Sequence, residues 1–256
     1  MQRRVLLCAL AATALSAGLS SPGALAAEPE PKFAVLSLIG DRINVVTFQP
    51  TVNSKMDRNI KQSAAIPDAP FDVTALRAVQ ASIKALKGPG EVLLYRSPSI
   101  ELFGDPWGLF EGSTLRLPPD LVAAMKKDGA SHLLLLTRNR QGAQLQMING
   151  SVGSGRLEGI GFYIDRQMYV RDSKTQESSQ GFLAPYTYLQ LSLVGLSNLQ
   201  ILQQQSISSS RTIGSARSED GFDPWQTLSP EDKISTLERM LETELREAVP
   251  ALIAPI

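Results

Sequence analysis

Residues 132–138 read His-Leu-Leu-Leu-Leu-Thr-Arg, and this run decides the fold class. An unbroken apolar stretch is the mark of a central strand covered on both faces. On its amino-terminal side, Pro118-Pro119 opens a short helix through Leu121, Val122 and Met125, which Gly129 closes. On its carboxy-terminal side the period changes to two. Segments 143–148, 160–164, 167–170, 186–194 and 199–207 predict an antiparallel meander. In segment 186–194, Thr187, Leu189, Leu191 and Leu193 share one face, while Tyr186, Tyr188, Gln190 and Ser192 share the other.

Segments 33–39 and 43–48, split by Gly40-Asp41-Arg42, predict two opening strands joined by a tight turn. Segment 49–70 has little periodicity and reads as a meandering surface connection. A helix follows, with Asp72 as its N-cap and Val73, Leu76, Val79, Ile83 and Leu86 on one face. Gly88-Pro89-Gly90 stops it, and segment 91–96 is the next strand, so the order implies a crossover and some parallel pairing. The last helix has Ser229 as N-cap, Pro230 at its first position and Asp232 completing a box-like start. Ile234, Leu237, Leu241 and Leu245 form its buried stripe, and Pro250 ends it. Segments 172–180 and 206–221 are rich in Ser, Gln and charge, and predict exposed loops. The fold class expected is α/β (α+β mixed): a single mixed sheet with an antiparallel C-terminal meander and about three helices packed on it.

The chain begins as an export signal would. Met1 to Arg4 carries two positive charges, an apolar stretch runs to Leu19, and Ala24-Leu25-Ala26 supplies the small-x-small pattern of a cleavage site. The expected organisation is a cleaved signal peptide at 1–26 and one globular domain at 27–256. The apolar stretch is shorter than the roughly 20 residues that span a bilayer, so no integral membrane segment is expected after cleavage. Cys8, the only cysteine, follows Leu7 and a leader too short for lipid attachment. The mature chain is therefore cysteine-free, which excludes disulfides, thiolate metal sites and cysteine nucleophiles. Losing Arg3 and Arg4 takes Lys+Arg from 25 to 23 against 25 Asp+Glu, a net charge of −2. That balance gives no electrostatic reason to expect nucleic acid or an anionic membrane as a partner.

The chemistry that enzymes need is sparse. His132 is the only histidine, which excludes zinc sites built from several imidazoles. No Asp/Glu cluster has the spacing of a cation-binding loop. Gly195-Leu-Ser197-Asn-Leu lacks the second glycine of a nucleophile elbow, and Gly153-Ser154-Gly155 has the wrong spacing. The glycines between Gly150 and Gly161 fail the dinucleotide fingerprint, since Glu158 sits where the third glycine belongs and strand follows where a helix is needed. No catalytic, cofactor-binding or metal residues are assigned, and no cofactor is expected.

Segment 99–110, Ser-Ile-Glu-Leu-Phe-Gly-Asp-Pro-Trp-Gly-Leu-Phe, crowds large apolar groups into a stretch broken by glycine and proline. Two readings stand: a loop folded over the core edge with Trp107 as plug, or an exposed aromatic patch for a partner protein or a membrane surface. The candidate partner contacts are Phe103, Trp107 and Phe110, then Tyr186 and Tyr188.

Residues 128–137 (Asp-Gly-Ala-Ser-His-Leu-Leu-Leu-Leu-Thr) and 188–202 (Tyr-Leu-Gln-Leu-Ser-Leu-Val-Gly-Leu-Ser-Asn-Leu-Gln-Ile-Leu) carry a resemblance. Over residues 117–245 the chain resembles the periplasmic α/β domain of curli-secretion lipoproteins, penicillin-binding-protein activator lipoproteins and the TolB amino-terminal region. It departs from them at Ser131, which stands for the usual aspartate, at Gly195, which stands for the turn aspartate, and in lacking the lipid-attachment cysteine. The resemblance implies a non-catalytic domain that binds other envelope components. The expected function is thus an exported, periplasmic or secreted, non-enzymatic protein whose partner is another envelope protein. The alternatives are a hydrolase using Ser, Asp and His132, and a small-molecule carrier with a pocket between helices and sheet.

Overall fold

The structure, a computed structural model, describes residues 31–50, 57–86, 91–97, 99–171, 178–214, 217–218 and 221–254. The leader, the Gly88-Pro89-Gly90 stop and residues 172–177 lie outside the described residues. In chain order come β1 (Phe33–Leu38), β2 (Arg42–Thr47), β3 (Ile60–Ala65), α1 (Pro70–Ala85), β4 (Val92–Tyr95) and α2 (Ile100–Gly104). Then follow β5 (Phe110–Glu111), β6 (Thr114–Leu115), α3 (Pro119–Lys127), β7 (His132–Arg138), β8 (Arg140–Gly142), β9 (Leu145–Met147) and β10 (Gly150–Val152). The carboxy-terminal half holds β11 (Arg156–Arg171), β12 (Ser178–Gly195), β13 (Gln200–Ser210), β14 (Ile213–Gly214) and α4 (Pro230–Ile253).

β12, 18 residues long, organises the sheet. Along one edge its first part pairs antiparallel with β11, up to Gly159↔Tyr188, and its second part with β7, from Leu189↔Arg138. β13 and β14 take the other edge. The sheet therefore forks between Tyr188 and Leu189. Beyond β11 lie β2, parallel to it, and then β3. Beyond β7 lies β1, with β4 on its far side, all parallel.

The expected hairpin of β1 and β2 does not form, because the two strands lie in different branches of the fork. β1 is buried at every position, so it needs strands on both sides and layers on both faces; β2 is fully buried only at Ile43 and Val46 and suits a more peripheral place. The fold class is likewise corrected. Strand outweighs helix, and twelve strands form one curled half-barrel sheet rather than a helix-covered α/β sandwich. Strand was underestimated because the period-two signal fades in polar stretches that still pair through backbone amides. Segments 160–164 and 167–170 are one strand, β11, with an irregularity after Asp165. There the Asp165 carboxylate accepts the N–H groups of Gln167 and Met168. Ser208 to Ser210, read as loop, are the end of β13.

Only one face of the sheet is helix-covered throughout. α1 and α4 bury Phe71, Val79 and Ile83, and Leu237, Leu241 and Leu245, against Phe33, Val35, Leu134, Phe162, Leu189 and Leu191 of the strands. Each fully buried Leu or Phe contributes about 1.5–3 kcal/mol. α4 keeps the Ser229 cap, whose Oγ accepts the Asp232 N–H at 3.0 Å. The helix runs past Pro250 to Ile253 instead of stopping there. Val249, Leu252 and Ile253 are buried, so packing outweighs the one backbone bond proline removes. On the opposite face the fork divides the core. α2, α3 and Leu109 cover the β1–β7 branch around Leu36, Leu133 and Met125. A flap made of β8 to β10 covers the β2–β11 branch around Tyr163, Phe182, Tyr186 and Tyr188.

Candidate functional site

Where the two covers meet, the sheet leaves a cleft of about 400 Å³. Strand register builds its floor. Asn44 pairs with Ser63 on one side and with Gly161 on the other, and Gly161 pairs with Tyr186. These four residues form a row across the sheet, and Arg42, Val46 and Lys61 follow on the same face by the two-residue period. Gly161 makes the row possible. A Cβ there would stand 1.9 Å from the Asn44 carbonyl oxygen and 2.8 Å from the Tyr186 hydroxyl, so only bare backbone lets the phenol lie across the sheet. Gly159, at φ +67°, makes the bend at the fork, with Arg138 and Asn44 packed beside it.

Five cations line or rim the cleft, Arg42, Lys61, Arg138, Arg140 and Arg156, against the single carboxylate of Glu158. Arg138 reaches Glu158 at 3.7 Å and donates to the carbonyl oxygens of Phe103 and Gly104. Lys61 pairs at 2.6 Å with Asp57, which also accepts the Arg156 and Asn59 N–H groups. Burial raises the Asp57 pKa, but these hydrogen bonds outweigh it and hold the carboxyl below its ordinary value. Among the described residues Arg42 bonds only to neutral oxygens of Ser63. The guanidinium groups of Arg140 and Arg156 have no ion pair among the described residues.

Two buried donors on residues that line the cleft have no partner among the described residues: the Tyr186 hydroxyl and Arg138 Nε. Burial, then the charge of Glu158 and the neighbouring Tyr188, push the Tyr186 phenol far above its ordinary pKa, so it stays protonated and can donate. Tyr188 stacks edge-on against it at 5.6 Å, yet its own hydroxyl is occupied, accepting the Gln144 N–H at 2.9 Å and so pinning the flap.

The residues singled out from sequence fall into separate places. Tyr186 and Tyr188 are 0% exposed, which corrects their reading as partner contacts. The flap, not a helix, buries them. In segment 99–110, α2 is followed by a turn in which the Asp105 carboxylate accepts the Trp107 and Gly108 N–H groups. Leu102 and Leu109 are the buried plugs, Phe103 and Phe110 pack partly buried against the second core, and Trp107 is 49% exposed. His132 Nδ1 lies 2.9 Å from Ser131 Oγ at the mouth of β7, and burial lowers its pKa. It borders a shallow pocket with Lys126, Gly195 and Asn198, and no carboxylate is among the described residues that line it. Gly150 opens β10, Gly153 and Gly155 connect it to β11, and Gly159 and Gly161 lie within β11, so strand and not helix follows the glycines. Among the described residues no group of three His, Cys, Asp or Glu side chains could hold a metal ion, and no helix is long and apolar enough to cross a membrane.

Sequence reasoning missed the cationic cluster. Its members come from residues 42, 61, 138, 140 and 156, and only the polar break Arg138-Asn139-Arg140 after the leucine run carried a local signal.

No protein-family model matches the chain, and no curated protein matches it. Among solved structures, it is similar to the PelC dodecamer from Paraburkholderia phytofirmans, at 12% identity over 86% of this chain and 85% of that one, with a TM-score of 0.33. It is also similar to a Xanthomonas campestris protein of the DUF330 family, at 12% identity over 89% and 87% of the two chains, TM-score 0.37. A Helicobacter pylori homologue of a neuraminyllactose-binding hemagglutinin matches at 11% identity over 87% of each chain, TM-score 0.38. Scores this low mark partial overlap of the backbone path, below the level at which a shared function follows. None of the three bears the name of a family that residues 117–245 resemble.

Proposed function

We propose that this chain is an exported, non-enzymatic binding domain of the cell envelope, periplasmic once residues 1–26 are removed, and that its partner is another envelope protein. The observation that carries the reading is the presentation of Trp107. Its flanking Leu102 and Leu109 are buried and Phe103 and Phe110 are anchored on the core, while the Trp107 ring stands half exposed on a turn fixed by Asp105. A rigidly mounted aromatic suits an interface anchor, because its contact area is gained at small cost in side-chain freedom. The export signal at the amino terminus supports the location.

The test is photo-crosslinking in intact cells from position 107, with position 242 on the far α4 surface as control. Adducts with one envelope protein from 107, lost when cells also carry the unlabelled wild-type chain in excess, are the expected result. Recovery of uncrosslinked chain alone, or retention of the full-length chain in the cytoplasm, overturns the proposal.

A further inference from the structure

We propose that the cleft at the fork of the sheet is a binding site for a phosphate group, carried by a small soluble molecule or by a lipid headgroup. This goes beyond a protein-binding role and uses none of the residues around Trp107.

Charge is the first argument. Five cations meet two carboxylates, Glu158 and Asp57, and the guanidinium groups of Arg42, Arg140 and Arg156 are left without a carboxylate partner among the described residues. Gathering like charges in one concavity is unfavourable unless an anion completes it, and a phosphate brings close to two negative charges where a carboxylate brings one. Guanidinium forks match the oxygen geometry of phosphate.

The second argument is independent of charge. Tyr186 lines the cleft, its hydroxyl is buried and has no hydrogen-bond partner among the described residues, and Arg138 Nε is in the same condition. Native proteins rarely leave buried donors unmet, and two beside one cleft point to an acceptor that belongs there. Tyr188 shows the contrast, since its hydroxyl is satisfied by Gln144.

Shape is the third. Gly161 leaves the floor bare, and a volume of about 400 Å³ lies within the range of small-ligand pockets. The floor is rigid, being strand on every side, so the donors are preorganised.

Calorimetric titration of the purified chain with inorganic phosphate, pyrophosphate and glycerol 3-phosphate tests this, with acetate at matched ionic strength as control. Saturable binding of the phosphates is expected, together with at least tenfold weakening in Tyr186→Phe and in the surface variant Arg140→Gln, and no change in Arg246→Gln on α4. Vesicles of phosphatidylcholine with and without phosphatidic acid separate the sources. Binding to the soluble esters assigns a small molecule; retention only on phosphatidic acid vesicles, released by Tyr186→Phe, assigns a headgroup. The proposal is overturned if neither probe set binds above acetate, or if binding survives both cleft variants.

Discussion

The Ser37 hydroxyl donates a buried hydrogen bond of 2.5 Å to the Asp72 carboxylate. The same carboxylate accepts the N–H groups of Ile39 and Gly40, at 3.1 and 3.2 Å. A side chain in the first turn of α1 thus satisfies the backbone where the chain leaves β1 in one branch of the sheet for β2 in the other. Asp72 is not the cap of its own helix, whose N-cap is Ala69. It caps a strand end instead.

Asp72→Ala should therefore destabilise the fold by about 2–4 kcal/mol, because it orphans several buried donors at once. Burial, partly offset by the hydrogen bonds from Ser37, Gly40 and Ile39, raises the Asp72 pKa above 3.8. The native state then binds this proton more tightly than the unfolded chain does. The stabilisation from protonation is complete below the unfolded value and is lost as pH rises through the folded one. Urea midpoints of the wild type, compared with Asp72→Asn, should fall more steeply as pH rises above the ordinary value of 3.8. Parallel curves would contradict the assignment.

Tyr186→Phe should leave stability unchanged or raise it by up to about 1 kcal/mol in buffer free of phosphate, since the lost hydroxyl had no partner. Tyr188→Phe should cost about 0.5–1.5 kcal/mol, because the Gln144 N–H loses its acceptor. Equilibrium unfolding of the two variants side by side checks the difference. Equal losses would mean that Tyr186 is bonded after all.

Leu241→Ala should cost about 2–5 kcal/mol by opening a cavity between α4 and the sheet, where the side chain is fully buried. Glu242→Ala, one residue on and exposed, should stay within about 0.5 kcal/mol. Chemical denaturation distinguishes them.

The imidazole resonances of His132, the single histidine, should titrate with a midpoint below 6.5, since burial disfavours the cation. With the folded pKa depressed, its contribution to stability is present above 6.5 and is lost as pH falls through the folded value. A midpoint above 6.5, read by NMR, would require an anionic neighbour.

Local pattern carried some of this architecture. The leucine run of β7, the stripes of α1 and α4 and the Ser229 cap are written in residues close in sequence, whose spacing repeats the geometry of the element they form. The candidate site was not legible in the same way. Tyr186 and Tyr188 sit on one face of one strand and look equivalent, yet one hydroxyl is bonded by the flap and the other is orphaned over Gly161. The glycines from 150 to 161 match no dinucleotide fingerprint in the sequence. They also contribute the bare floor of the cleft, which depends on Asn44 lying in the next strand.

By itself, then, the sequence determined where the chain is apolar and with what period, and its single histidine excluded multi-histidine metal sites by composition. Only the tertiary structure decided which strands pair, that β1 and β2 part at a fork, and that strand rather than helix dominates. The reason is that pairing is made by backbone amides that every residue carries, between segments far apart in the chain, so side-chain pattern does not record it. Bringing Arg42, Lys61, Arg138, Arg140 and Arg156 around one buried phenol is likewise a property of the forked sheet.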